Sequence, residues 1–186
     1  MRIISGDLKG KKISLPIDNK TRPLRDLVKE SIFNLINHSS KFTLKLNNSN
    51  VLDLFSGTGS FGIECISRNA KKVTFVENYN SVLNILKKNI KSLDIGDKTE
   101  IIEDDCFDIF ESKKKFKKKF NLIFMDPPYK EHKINLIINE VKDRKILDEN
   151  GILIIHRHKK DNIDISNKLT ILDERNYGIS KIIIGN

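Results

Sequence analysis

The chain has 186 residues, 38% of them hydrophobic, enough for one buried core and too few for two domains of ordinary size. No segment approaches the roughly 18 to 20 apolar residues that span a bilayer, and Met1-Arg2-Ile3-Ile4-Ser5-Gly6 lacks the apolar run of a secretory signal, so a soluble cytoplasmic protein is expected. The formal charge of +9 suits a polyanionic partner, yet only seven of the 34 basic residues are arginines, and the abundance of Lys, Ile and Asn is equally what an AT-rich coding bias produces. Cys65 and Cys106 fall inside apolar stretches and not in a ligand or disulfide pattern, so no metal site is expected.

In chain order, residues 2–17 alternate short apolar runs with basic residues and glycines, which predicts a β-hairpin with its lysines toward solvent. Leu24, Leu27, Val28, Ile32, Leu35 and Ile36 recur at helical spacing behind Arg22-Pro23, predicting an amphipathic helix over 24–36. Val51-Leu52-Asp53-Leu54-Phe55, stopped by glycines, reads as a buried strand. The pattern then predicts a helix over 61–68, a strand over 72–76, a helix over 81–93, strands over 100–102 and 121–125, a helix over 134–147 and a strand over 151–156. Such βα alternation implies a mostly parallel sheet with helices on both faces. The last two strands, 168–174 and 179–184, have only Arg175-Asn176-Tyr177-Gly178 between them and should pair antiparallel. A hairpin domain over 1–22 and an α/β domain over 23–186 follow. The only low-complexity stretch is Lys113 to Lys119, six lysines interrupted by Phe116, which is read as a solvated loop or a phosphate contact.

Three segments carry chemistry. Asp53-Leu54-Phe55-Ser56-Gly57-Thr58-Gly59-Ser60-Phe61-Gly62 is a glycine-rich turn between strand and helix, where a backbone can approach a ligand closely. Its glycine spacing also satisfies the dinucleotide fingerprint, and Glu77 lies 20 residues after Gly57 at the next strand end, placed to hold ribose hydroxyls. A nicotinamide enzyme therefore competes at this point. Asp53 discriminates, since a carboxylate beside the loop repels a pyrophosphate and suits a ligand bearing an ammonium and a sulfonium, as S-adenosylmethionine does.

The second segment, Asn121 to Tyr129, ends an apolar strand in Asp126-Pro127-Pro128-Tyr129. Two prolines fix φ and remove two donors, so the turn offers acceptors in a rigid frame, which suits an amino group. Asp126 and the Pro127 carbonyl would accept the protons of an exocyclic amine and push its lone pair toward an incoming methyl group, while Tyr129 stacks on the base. The third, Asp104-Asp105-Cys106, follows a strand; Asp105 is the candidate to accept from the adenine amino group of the cofactor, although an acidic pair there is also an ordinary helix start.

The order Asp53-x-x-x-Gly57-x-Gly59, Glu77, Asp105 with Cys106, and Asp126-Pro127-Pro128-Tyr129 resembles the class I S-adenosylmethionine-dependent amino-methyltransferases over residues 51–156. Arg2-Ile3-Ile4-Ser5-Gly6, Lys9-Gly10-Lys11-Lys12-Ile13, Thr21-Arg22-Pro23, Val28-Lys29-Glu30, Phe33-Asn34 and Tyr177-Gly178 extend the likeness to the whole chain, which resembles the RsmD-type 16S rRNA guanine-N2 methyltransferases. The resemblance implies a Rossmann-like sheet with an antiparallel last strand and a small N-terminal hairpin, S-adenosylmethionine as cofactor, and 16S rRNA in a small subunit or its assembly intermediate as partner; a monomer is the simpler expectation. RNA contacts then fall to Lys9, Lys11, Lys12, Arg22 and Arg25. Two places depart from the family pattern: Leu24-Arg25 stands where a pair of threonines is usual, and His156-Arg157 where an acid is common.

The expected reaction is direct methyl transfer to guanine N2, with Asp53, Gly57, Gly59, Glu77, Asp105 and Cys106 around the cofactor and Asp126 to Tyr129 around a flipped or single-stranded base. A cytosine-C5 route needs a nucleophilic cysteine, and neither Cys65 nor Cys106 follows a proline. The alternatives are an adenine-N6 methyltransferase, a glutamine-N5 protein methyltransferase, and an RNA-binding module without turnover.

Overall fold

The computed structural model describes residues 1–16, 24–112, 116, 118–128, 131, 133–161, 165 and 169–186. Its elements are α1 (Asp26–His38), β1 (Asn50–Leu54), α2 (Ser60–Ser67), β2 (Lys72–Val76), α3 (Asn80–Leu93), β3 (Thr99–Ile102), α4 (Cys106–Glu111), β4 (Phe120–Met125), α5 (Ile134–Asp143), β5 (Leu147–His158), β6 (Ile171–Tyr177) and β7 (Ser180–Gly185). The strands form one seven-stranded sheet in the order β3-β2-β1-β4-β5-β7-β6. Pairing from β3 through β5 is parallel, and β7 runs antiparallel to both β5 and β6.

Alternation along the strands divides the core in two. Val51, Val73, Phe75, Leu122, Phe124, Ile152, Ile154, Ile182 and Ile184 meet the apolar faces of α1, α2 and α3, whereas Leu52, Leu54, Ile123, Met125, Leu153, Ile155 and Ile183 meet α4 and α5. With both faces covered, the central strands are nearly continuous hydrophobic runs, which is why they read clearly in the sequence. Phe33, Phe61 and Phe124 stack from α1 through α2 to β4, with centroids 5.1 and 3.8 Å apart.

Several expectations are corrected, but the N-terminal hairpin is present in short form: Arg2 and Lys12 bridge antiparallel, flanked by Ile3 N–H to Lys11 O and Ile13 N–H to Met1 O, both at 3.0 Å. Further donors of this segment go to side chains of α2: Ile4 and Ser5 N–H donate to the two Glu64 oxygens at 2.8 and 2.9 Å, and Leu8 N–H to Ser67 Oγ at 3.0 Å. Ser14 exchanges hydrogen bonds with Asn89 of α3, and Ile3 and Ile13 join the core under α1. The expected boundary at residue 22 lies outside the described residues.

Within α1 the buried stripe is Val28, Lys29, Ile32, Phe33 and Ile36, and Leu27 points away from it, 69% exposed. An unanticipated helix, α4, follows β3; its N-cap Asp105 accepts from Phe107 N–H at 2.7 Å, the ordinary role of an acid at a helix start. Helix α5 ends at Asp143, not 147, because Lys145 takes φ of +52° and β5 starts at Leu147 beside Phe120. Residues 175–177, taken as a link, continue β6, and Gly178 at φ +62° makes the turn. Among the described residues no helix is long and apolar enough to cross a membrane.

Glu64 has no exposed side-chain surface and also meets Arg68 Nε at 3.0 Å and the fully buried Lys29 Nζ at 3.7 Å. Glu64→Ala should lower stability by roughly 3–5 kcal/mol, since it strands a buried ammonium and two N–H groups. Denaturant unfolding checks this, and a loss under about 1 kcal/mol would show that the N-terminal segment is held by other contacts.

Candidate active site

The carboxyl ends of parallel strands are where an α/β sheet opens a crevice. Here a cavity of about 430 Å³ lies at the ends of β1, β2, β4 and β5, lined by Asp53, Ser56, Gly57 and Thr58, by Glu77 to Tyr79, by Asp126 to Pro128 and by His156. Phe61 and Phe124 give it an apolar wall, and Pro16, Leu24, Arg25, Ile179 and Ser180 close another side.

The glycine turn is built around two carboxylates. Asp53, 1% exposed, accepts from Gly62 N–H at 2.9 Å and so ties β1 to α2. Burial pushes its carboxyl well above the ordinary range; the Gly62 bond opposes this, and the charges of Asp126 and Glu77 add to it. Glu77 accepts from Gly57 N–H at 2.8 Å through one oxygen, and from Asn78 and Tyr79 N–H at 3.0 and 2.9 Å through the other. These bonds fix the loop against the end of β2.

Two glycines in the turn do different work. Both have positive φ, +55° at Gly57 and +82° at Gly59. A Cβ on Gly57 would meet nothing within 4 Å, whereas one on Gly59 would come 2.5 Å from Leu86 Cδ1. Gly57 thus bares backbone to the cavity, and Gly59 lets α2 seat on α3. Phe55, without a glycine's freedom, also sits at φ +58°, a backbone strain often found beside ligand sites.

Asp126 begins the turn after β4, its N–H reaching Leu54 O at 3.5 Å. Its Oδ1 lies 2.7 Å from His156 Nδ1. The Pro128 carbonyl accepts from Glu131 N–H and from Arg157 Nη1, both at 2.9 Å. Arg157, 1% exposed, also donates to Glu131 O at 2.8 Å and pairs with Asp161 at 2.8 Å. The Pro-Pro turn is therefore gripped from β5.

Of the residues singled out in the sequence, Asp53, Gly57, Glu77, Asp126, Pro127, Pro128 and Arg25 line this one cavity. Asp105 stands behind it, accepting from Asn78 Nδ2 at 2.7 Å, so it reaches the lining through Asn78. Cys106 is buried in the second core, and burial raises both its thiol and that of Cys65 well above the usual range. Lys9, Lys11 and Lys12 are exposed on the N-terminal loop. Tyr129 and Arg22 lie outside the described residues. His156 was noted in the sequence only as a departure; the unread signal is that β4 and β5 pair at an offset of 30, Ile123 with Leu153 through Met125 with Ile155, so the next pair is Asp126 with His156.

A family model described as Conserved hypothetical protein 95 matches residues 1–186. The chain belongs to this family, the RsmD family. Among RsmD relatives, "Ribosomal RNA small subunit methyltransferase D" of Buchnera aphidicola subsp. Acyrthosiphon pisum is 35% identical over 93% of this chain and 86% of that one. The protein of the same name from Haemophilus influenzae is 31% identical over 96% and 90%. The solved structure of Escherichia coli yhhF superposes with a TM-score of 0.82 at 24% identity, covering 100% of this chain and 96% of that one. The fold is the Rossmann-like class I methyltransferase fold, antiparallel last strand included.

Because the Asp53 pKa is raised on folding, its contribution to stability is full below the unfolded value near 3.8 and is lost as pH rises through the folded value. Asp53→Asn, which keeps an acceptor for Gly62, should match the wild type in urea melts near about pH 3.5 and exceed it near about pH 7.5. Equal stability at both would mean that Asp53 is not buried at this cost.

Proposed function

We propose that this protein transfers a methyl group from S-adenosylmethionine to N2 of a guanine in 16S ribosomal RNA. The observation that carries the reading is that one cavity joins a cation-holding half, Asp53 and Glu77, to an amine-accepting half, Asp126 and Pro127, across the Phe61 and Phe124 wall. Curated relatives named ribosomal RNA small subunit methyltransferase D support it.

The residues present fit that cofactor. A buried carboxylate beside a bare glycine backbone suits an ammonium and a sulfonium and repels the pyrophosphate of a nicotinamide dinucleotide, the competing reading of the glycine spacing. Glu77 spends three acceptor positions on its own loop and keeps one for ribose hydroxyls. Asp105, through Asn78, bounds the adenine end. Bound there, S-adenosylmethionine supplies an electrophilic methyl group.

The chain's own work is positional. Asp126 and the Pro127 carbonyl accept the two protons of the exocyclic amine, turning its lone pair out of the ring and toward the methyl carbon. Once methylated, the amine would be acidic and would give one proton to Asp126 or to water. Tyr129, the next residue of the motif, is assigned the stacking role on a flipped base. Lys9, Lys11, Lys12 and Arg25 are exposed and are assigned to phosphates.

Labelled methyl transfer to under-modified small subunits, naked ribosomal RNA and DNA, followed by nucleoside analysis, tests the reading. N2-methylguanosine is expected; N6-methyladenine would keep the chemistry and overturn the base, and no transfer to any nucleic acid would overturn the function. In the same assay Asp126→Ala should lower kcat at least about 100-fold with cofactor Kd within about threefold, whereas parallel loss of both would remove Asp126 from the amine.

A further inference from the structure

A carboxylate that must accept one proton along one direction needs its rotamer fixed, and β5 supplies the means. The register that pairs Met125 with Ile155 brings Asp126 and His156 side by side on the face that carries Phe124 and Ile154, the face of the cavity. His156 Nδ1 lies 2.7 Å from Asp126 Oδ1, with the His156 side chain 7% and the Asp126 side chain 21% exposed. We propose that His156 is a positioning residue for methyl transfer: its Nδ1–H occupies one oxygen of Asp126 and aims the other at the target amine.

The inference rests on the methyl-transfer reading above and deepens it. Oδ1 faces the β5 side, so Oδ2 is the oxygen left to the amine. The neighbouring Arg157 completes the frame from the same strand, its Nη1 on the Pro128 carbonyl at 2.9 Å. Two consecutive residues of β5 thus hold the two ends of the Asp126-Pro127-Pro128 turn, one at the carboxylate and one at the carbonyl. His156 acts through Asp126 and is itself packed by Ile182 across β7. A misaimed acceptor of this kind affects the transition state more than the binding of either reactant.

His156→Leu removes the donor and keeps apolar bulk; His156→Asn restores an N–H donor close to where Nδ1 stood. With whichever nucleic acid the wild type methylates, His156→Leu should reduce kcat about 10- to 100-fold while KM and Kd for S-adenosylmethionine stay within about twofold, and His156→Asn should recover most of the loss. Unchanged kcat in His156→Leu, or no recovery in His156→Asn, overturns the proposal. A second measurement is independent of turnover: long-range nitrogen-15 NMR of the wild-type imidazole should show Nδ1 protonated. An imidazole carrying its proton only on Nε2 overturns the inference even if the enzyme is active, whereas a wild type inactive on every nucleic acid overturns the methyl-transfer reading on which it rests.

Discussion

A carboxylate buried at the end of a parallel sheet is the constraint around which this structure is organised. Asp53 sits where charge is least welcome, and burial drives its pKa up. The protein relieves the burial with the Gly62 N–H, which only the first turn of α2 can offer and which requires the tight, left-handed path through Gly57 and Gly59. Glu77 then anchors that path to β2. Holding Asp53 in this place sacrifices stability in the unliganded chain; what justifies it is a site with negative potential in a protein whose formal charge is +9.

A second buried carboxylate has the opposite task. Glu64 is surrounded by donors: two backbone N–H groups from the N-terminal segment, the Arg68 guanidinium and the Lys29 ammonium. It converts what would be a free hairpin into a strap across α2, and Asn89 does the same toward α3 by bonding Ser14 and the Thr58 carbonyl at once. The segment that carries Lys9, Lys11 and Lys12 is thereby fixed to the helices that frame the glycine turn. Pro16, at the described end of the strap, lines the cavity itself.

The third organising feature is register. Parallel pairing of β1 with β4 sets Asp53 beside Phe124, and pairing of β4 with β5 sets Asp126 beside His156, so one side of the sheet collects these carboxylates while the other packs a second apolar core. The turn after β4 is then immobilised from β5 and from within, since both acceptor positions of the Pro128 carbonyl are filled. Rigidity there is what lets an acceptor pair discriminate an amine by geometry.

Much of this was legible in the residues. The strands could be read because burial on both faces makes them continuous apolar runs, and the βα alternation fixed the sheet's class. Asp53, Gly57, Glu77 and Asp126 could be read because each lies at or just past the carboxyl end of a strand and is a residue type that the strand itself does not need. Other features were not legible for physical reasons. The seating of the N-terminal hairpin on α2 depends on Glu64 and Ser67, some 60 residues away. Helix α4 is short, and its start is marked only by the acidic pair Asp104-Asp105. The side chain of Cys106 lies in the second core, a placement that helix phase decides and the local sequence does not. His156 and Arg157 looked like mere departures until strand pairing placed them against Asp126 and Pro128. Local sequence thus determined which residue types end each strand and therefore the chemistry available; only the tertiary register decided which of them meet, because contacts between strands are set by pairing offsets and helix packing that no local window of the chain contains.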